Sequence, residues 1–72
     1  MGFIMPRMGI IVGTNVKQRR LVRKLTQQQL AKRVGRTQPL IAQIETGAYT
    51  PGLAMLASIA KVLHTTVSEL VK

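Results

Sequence analysis

Amide side chains carry the most informative chemistry in this sequence, in the segment between Gly35 and Gly47. No charged residue separates Arg36 from Glu45, although the chain as a whole is rich in Lys and Arg. Since a helix turns about 100° per residue, a helix here collects one set of residues on a single face: Gln38, Pro39, Ala42, Gln43 and Thr46. A glutamine amide suits the N6 donor and N7 acceptor of adenine, and the small Ala42 can contact a thymine methyl group. This face therefore predicts contact with base edges, with an ordinary solvated polar surface as the alternative.

The opposite face of this helix is apolar and is predicted to pack inward through Leu40, Ile41 and Ile44. Thr37 is expected to cap the helix and Gly47 to end it. A preceding helix begins at Thr26, where the sequence TQQQ forms a capping box with Gln29, and it ends at Gly35. Two helices joined by a short turn that contains glycine predict a helix-turn-helix motif, whose second helix enters a major groove of DNA.

A first helix is predicted ahead of this motif, from about Val12 or Thr14 to Lys24. Hydrophobic periodicity directs four residues of this region toward a core: Val12, Val16, Leu21 and Leu25. The helix thus supplies an apolar face against which the motif can pack.

Two more helices are predicted after the motif. The fourth helix begins at Thr50 with Pro51 in its first turn, where the missing amide donor costs nothing. Its buried stripe is Leu53, Leu56, Ala60 and Leu63. A last short helix follows Thr66, and Glu69 is expected to complete a second capping box there.

The composition agrees with helices packed around an aliphatic core. The 72 residues are 46% hydrophobic but include one Phe, one Tyr and no Trp, and there is no Cys for a disulfide or a thiolate metal site. A chain this short forms one small domain. We therefore predict an all-α domain of five helices over residues 14–72.

The charge balance indicates an anionic partner. Eleven Lys and Arg residues face only two acidic residues, for a net charge of +9. Eight of the basic residues lie within residues 17–36: Lys17, Arg19, Arg20, Arg23, Lys24, Lys32, Arg33 and Arg36. Such clustering favours nucleic acid over an acidic membrane surface, since a merely solvated face usually mixes both signs.

Residues 1–13 form an apolar N-terminal extension that is predicted to be flexible or self-associating. Pro6 and Arg7 interrupt the apolar run, so a signal peptide is not expected, and no stretch reaches the length of a membrane span. An upstream start, with Met8 as the alternative first residue, is another interpretation. The expected location is the cytoplasm, in association with the nucleoid.

The run LTQQQLAKRVGRTQPLIAQIETG resembles the core of the Cro and cI repressor type of helix-turn-helix domain, also called the Xre-like family. The stretch TPGLAMLASIAKVLHTTVSEL continues the resemblance, which covers residues 12–71 in total. It implies a lambda-repressor-like fold, sequence-specific binding of double-stranded DNA by residues 38–45, and a function as a transcriptional regulator of the repressor kind. Binding to a near-palindromic operator as a homodimer is implied as well.

The resemblance also assigns roles to individual residues. The residues expected to contact bases are Gln38, Pro39, Ala42 and Gln43. The residues expected to contact phosphates are Lys17, Gln27, Arg36, Thr37, Thr46 and Tyr49. Gln27 would also brace Gln38, and Arg20 would form a structural ion pair with Glu45.

Two departures from the family pattern affect the turns between helices. Lys24 and His64 stand where glycine is common, which predicts either a strained turn at His64 or a left-handed backbone there, a conformation that His tolerates better than most residues. The dimer surface stays open between the N-terminal extension and a set of exposed candidates: Tyr49, Met55, Val62 and the last helix.

Other functional classes give different expectations. An antitoxin that represses its own operon and holds a toxin protein would keep this fold. A coactivator or single-stranded RNA binder would usually offer stacking aromatic residues, and this chain has only Phe3 and Tyr49. Two carboxylates, one His and no Cys cannot assemble an acid, a base and a nucleophile, so no enzyme activity, catalytic residue, cofactor or metal site is expected.

Overall fold

The computed structural model describes residues 4–72, with side chains from residue 7 onward. Over this range the chain contains five helices and no strand: α1 (Ile4–Val22), α2 (Gln27–Val34), α3 (Gln38–Thr46), α4 (Leu53–Val62) and α5 (Val67–Leu70). The predicted all-α fold of five helices is therefore confirmed.

An aliphatic core joins all five helices. Its buried members are Val12, Val16, Leu25, Leu30, Ala31, Ile41, Ile44, Leu56, Ile59, Ala60, Leu63 and Leu70. The sequence prediction was wrong for Leu21 and Leu53, which are 55% and 72% exposed, and it missed Ile59, which is fully buried. Periodicity finds the apolar residues of a helix, but the neighbouring helices decide which of them are covered.

Helix α1 begins at Ile4, well before the expected start at Val12 or Thr14. The predicted boundary between the extension and the domain lies inside this helix, while residues 1–3 lie outside the described residues. Met8 packs against the core and Val12 is only 1% exposed. Residues 8–12 thus contribute to the packed domain.

Gly13 lets α1 approach the C-terminal end of α3 unusually closely. A Cβ atom built on Gly13 would lie 2.3 Å from the carbonyl oxygen of Ile44 and 2.8 Å from that of Glu45. No real side chain fits at these distances, so a residue larger than glycine would push the two helices apart.

The helix ends largely follow the predicted signals. At α2, Thr26 Oγ1 accepts from the Gln29 amide at 3.0 Å, and Gln29 Oε1 accepts from the Thr26 amide at 2.8 Å, which confirms the capping box. Gly35 ends α2 with φ +72°. Lys24 and His64 both adopt φ +57°, the left-handed conformation that was one of the two alternatives at His64.

Of three other cap predictions, two were confirmed only in part and one was wrong. Thr37 is the cap residue of α3, but its side chain makes no capping bond. Helix α4 begins at Leu53 after the cap residue Gly52, because the chain is still extended at Gly52 (φ −75°, ψ 177°). Thr66 accepts from the Glu69 amide at 3.1 Å, but the Glu69 carboxylate binds Arg19 and Lys72 instead of returning to the Thr66 amide.

Candidate nucleic-acid interface

Helix α3 presents its two faces as the sequence predicts. Ile41 and Ile44 are fully buried on the inner face. On the outer face Pro39 and Gln43 are exposed, while Gln38 and Ala42 are half-buried. Pro39 lies in the first turn, where a helix has no intrahelical acceptor for an amide, so it leaves the helix intact.

Gln38 is held by a glutamine from the preceding helix. Its Nε2 donates to Gln27 Oε1 at 2.7 Å, and Gln27 Nε2 donates in turn to Glu45 Oε1 at 3.0 Å. Gln27 is the first residue of α2 and Gln38 the first of α3, so this contact ties the starts of the two motif helices together. The expectation that Gln27 braces Gln38 agrees with this geometry.

The predicted ion pair between Arg20 and Glu45 is present and bidentate. Arg20 Nε donates to Glu45 Oε2 at 2.6 Å, and Nη2 donates to Oε1 at 3.1 Å. Arg20 Nη1 donates to the carbonyl oxygen of Leu25 at 2.7 Å. The two side chains are only 9% and 3% exposed. This pair locks the end of α1 to the end of α3, and its hydrogen bonds compensate the cost of burying two charges.

The residues predicted to contact phosphate lie at several places. Arg36 and Thr37 are exposed in the turn before α3. Thr46 Oγ1 donates to the Gln43 carbonyl oxygen at 3.1 Å, and the backbone amide of Tyr49 donates to the same oxygen at 3.1 Å. These residues thus flank the two ends of α3. Lys17 is exposed on α1, and no hydrogen bond among the described side chains joins it to α2 or α3.

The sequence did not indicate a groove beside Gln38, at the junction of α1 and α2. It has a volume of about 510 Å³ and is lined by Arg20, Leu21, Lys24, Leu25, Thr26, Gln27, Gln28 and Gln38. Leu21, Lys24 and Gln28 were not among the predicted site residues. The second glutamine of TQQQ, Gln28, was the available signal, but its position depends on how α1 meets α2.

The described side chains do not bring three potential metal ligands together. Both carboxylates of the chain take part in ion pairs, Glu45 with Arg20 and Glu69 with Arg19 and Lys72. No helix in the described range combines the length and hydropathy that a membrane span requires. The chemistry available at this surface is hydrogen bonding by amides beside a concentration of positive charge.

Comparison with known proteins identifies the family of this five-helix chain. Residues 16–70 match the family model described as helix-turn-helix. The chain belongs to the Xre-like helix-turn-helix family. It has the all-helical, lambda-repressor-like fold of that family.

Two protein relatives support this family assignment. The chain is 40% identical over 60 residues to an immunity repressor protein of Bacillus phage phi105, a match that covers 83% of this chain and 42% of the phage protein. It is 35% identical over 57 residues to an uncharacterized HTH-type transcriptional regulator of Archaeoglobus fulgidus, covering 79% of this chain and 80% of the relative. The chain therefore spans less than half of the phage repressor.

A solved structure shows the same helix-turn-helix architecture within a larger protein. The hydroxypropylphosphonic acid epoxidase from S. wedmorenis superposes with a TM-score of 0.84 at 29% sequence identity. The match covers 90% of this chain but 35% of the epoxidase chain. The same helix-turn-helix architecture thus occurs in a chain named as an enzyme as well as in chains named as regulators. The word epoxidase describes the larger protein as a whole.

Proposed function

We propose that this helix-turn-helix chain binds double-stranded DNA sequence-specifically as a transcriptional repressor, with α3 in the major groove. The observation that carries the proposal is the outer face of α3, which combines an exposed Gln43 with a Gln38 held in place by Gln27. A glutamine amide, which both donates and accepts, can distinguish base edges, whereas contacts to phosphates carry no sequence information directly. The relative named as an immunity repressor favours repression.

Positive charge beside α3 supplies the sequence-independent part of binding. Arg36 and Thr37 are exposed immediately before α3, and Tyr49, which is 40% exposed, follows it. These positions suit contacts to the DNA backbone on both sides of the groove. Each phosphate neutralised releases counterions, so affinity falls as salt rises.

The direct experiment is a titration of two duplexes by fluorescence anisotropy at two salt concentrations. One duplex is recovered from a random pool by the protein, and the other is its scrambled version. Gln43→Ala is expected to lose roughly 1 to 3 kcal/mol on the recovered duplex and little on the scrambled one. The Gln43 side chain is exposed and makes no hydrogen bond to another described residue, so its removal should leave the fold intact.

Arg36→Ala is the matched variant for phosphate contact. It is expected to weaken both duplexes alike and to lower the slope of affinity against salt by about one. Equal affinity of the wild-type protein for the recovered and scrambled duplexes would refute sequence reading.

Binding as a homodimer to a near-palindromic site is part of the proposal, since one domain contacts few base pairs. Residues 46–60 contain no charged residue, and this region includes the exposed Tyr49 and Leu53. An uncharged apolar surface permits two strongly basic chains to meet. Leu53→Lys should leave the fold intact and shift sedimentation toward the monomer; an unchanged dimer would place the contact elsewhere.

We also propose that the chain itself is not an enzyme and acts in the cytoplasm with the nucleoid. Both carboxylates are engaged in ion pairs, and His64 is the single histidine. This leaves no acid, base and nucleophile to converge on a substrate.

A further inference from the structure

We propose that the first half of α1, through Gly9 and Ile10, holds the chain after α3 in the position from which that chain contacts the DNA backbone. This inference rests on the proposed function, because it requires Thr46 and Tyr49 to lie beside phosphates. It adds a role for two residues that precede the family match over residues 16–70. Both are positioning residues, which act on DNA through the segment that they hold.

The contact between α1 and the chain after α3 is unusually close. A Cβ atom built on Gly9 would lie 2.8 Å from Thr50 Oγ1 and 3.1 Å from the carbonyl oxygen of Gly47. In the other direction, a Cβ atom built on Gly47 would lie 3.2 Å from Cγ1 of Ile10 and 3.3 Å from its amide nitrogen. The backbones of the two segments therefore touch, because each segment contributes a glycine at the point of contact.

The segment held by α1 has hydrogen-bond donors to offer. The amide of Tyr49 donates to the carbonyl oxygen of Gln43 at 3.1 Å, which turns the chain back toward α3. The amides of Ala48 and Thr50 make no hydrogen bond within the described part of the chain, and both residues are exposed. Backbone amides of this kind commonly donate to phosphate oxygens.

The absence of charge in this segment makes its position important. Residues 46–60 contain no charged residue. A cation attracts a phosphate over several ångströms, whereas a neutral N–H or O–H group needs a donor–acceptor distance near about 3 Å and a nearly straight angle. Phosphate contacts by residues 46–50 therefore require accurate placement, which the contact with Gly9 and Ile10 provides.

Gly9→Ala tests this placement, because its methyl group has to displace Thr50 and the Gly47 carbonyl group. Alanine favours a helix more than glycine does, so the change does not weaken α1 itself. Affinity for the recovered and the scrambled duplex is expected to fall alike, by about tenfold, which corresponds to one or two neutral hydrogen bonds. Unchanged affinity would overturn the inference.

The salt dependence separates this loss from the loss of a charged contact. Gly9→Ala should leave the slope of affinity against salt as it is in the wild type, because neutral donors release few counterions. Arg36→Ala, by contrast, should lower that slope by about one. A lower slope in Gly9→Ala would contradict the inference.

A double variant examines whether Gly9 acts through Thr50. Thr50→Ala removes the hydroxyl group that the new methyl group would meet at 2.8 Å. In Gly9→Ala combined with Thr50→Ala, the loss of affinity should be smaller than the product of the two single losses, since neighbouring sites do not act independently. Fully multiplicative losses would show that the contact with Thr50 is irrelevant and would overturn the inference.

Ile10→Ala is a second variant that remains available if Gly9→Ala does not fold. Ile10 is 59% exposed, so the stability of the fold depends little on its side chain, which nevertheless lies against Gly47. Val22→Ala is the matched control, because Val22 is 79% exposed at the other end of α1. Ile10→Ala should weaken binding of both duplexes several-fold, and Val22→Ala should not; equal affinities of the two variants contradict the proposed placement.

Hydrogen exchange in the free protein measures the placement without DNA. The amide of Tyr49 should exchange faster in Ile10→Ala than in the wild type or in Val22→Ala, because opening of this segment breaks its bond to Gln43. Equal exchange in all three proteins overturns the inference. The binding data distinguish the two levels of proposal: if the wild-type protein binds neither duplex, both fall, and if it binds but Gly9→Ala and Ile10→Ala bind equally well, only the inference falls.

Discussion

The two acidic residues of this chain, Glu45 and Glu69, occupy contrasting environments. Glu45 meets Arg20 across α3 and α1 with side chains 3% and 9% exposed. Glu69 meets Arg19 at 3.4 Å and Lys72 at 2.9 Å, and all three side chains are at least 41% exposed. The two arginines are neighbours in the sequence, yet one pair is buried and the other is solvated.

The contrast shows that an ion pair between arginine and glutamate contributes differently to stability when it is buried and when it is exposed. In the buried pair each charge needs the other, because an unpaired charge in the interior is costly. In the exposed pair water and salt substitute readily for the partner. Glu45 is also the acceptor on which Gln27 depends, so the buried pair links stability to the proposed base contact.

Removal of the buried Glu45 carboxylate should give the largest loss of stability among these variants. Glu45→Gln leaves Arg20 without its counter-charge and is expected to lower the free energy of unfolding by roughly 3 to 5 kcal/mol. Urea unfolding followed by circular dichroism measures this loss. Unchanged stability would remove the structural role of the pair.

The depth of the buried pair depends on how closely α1 approaches α3 at Gly13. Gly13→Ala places a methyl group against the carbonyl oxygens of Ile44 and Glu45, and it is expected to lower the free energy of unfolding by about 1 to 3 kcal/mol. Thr14→Ala, at an exposed position of the same helix, is the control and should change stability by less than about 0.5 kcal/mol. Equal effects of the two variants in thermal unfolding would show that the close approach is unimportant.

The smallest change in stability is expected when the exposed ion pairs of Glu69 are removed. Glu69→Gln should leave the unfolding midpoint of the protein nearly unchanged at neutral pH, and added salt should reduce even this difference. A loss as large as that in Glu45→Gln would contradict the contrast between the two sites.

The pH dependence of the exposed pair has a definite sign. The hydrogen bond and the positive charge of Lys72, with a further contribution from Arg19, hold the pKa of Glu69 below its ordinary value of 4.5. A lowered pKa in the folded state stabilises the protein above the pKa of the unfolded state, and this contribution disappears as the pH falls through the folded pKa. The melting temperatures of wild-type protein and Glu69→Gln, measured between neutral and acidic pH, should therefore converge at low pH. A difference that grows at low pH would contradict this sign.

Much of the local structure was predictable, because it depends on bonds between residues close in sequence. The capping box joins Thr26 to Gln29, three residues apart, and the glycine that ends α2 needs only its own left-handed backbone. The inner face of α3 followed from its helical period alone. Conversely, the reciprocal half of the cap at Glu69 failed, because Arg19 of α1 and Lys72, three residues further along the chain, bind that carboxylate.

The sequence by itself determined the helices, most of their ends, the helix-turn-helix motif and the polar face of α3, since each follows from local hydrogen bonding and periodicity. The tertiary structure alone decided that Leu53 is exposed, that α1 begins at Ile4, and which glutamate is buried. Burial depends on which helices cover a residue, and contacts such as that between Gln27 and Glu45 join residues 18 apart in the chain. No local pattern specifies how closely two helices approach, and here that distance depends on the missing side chain of Gly13.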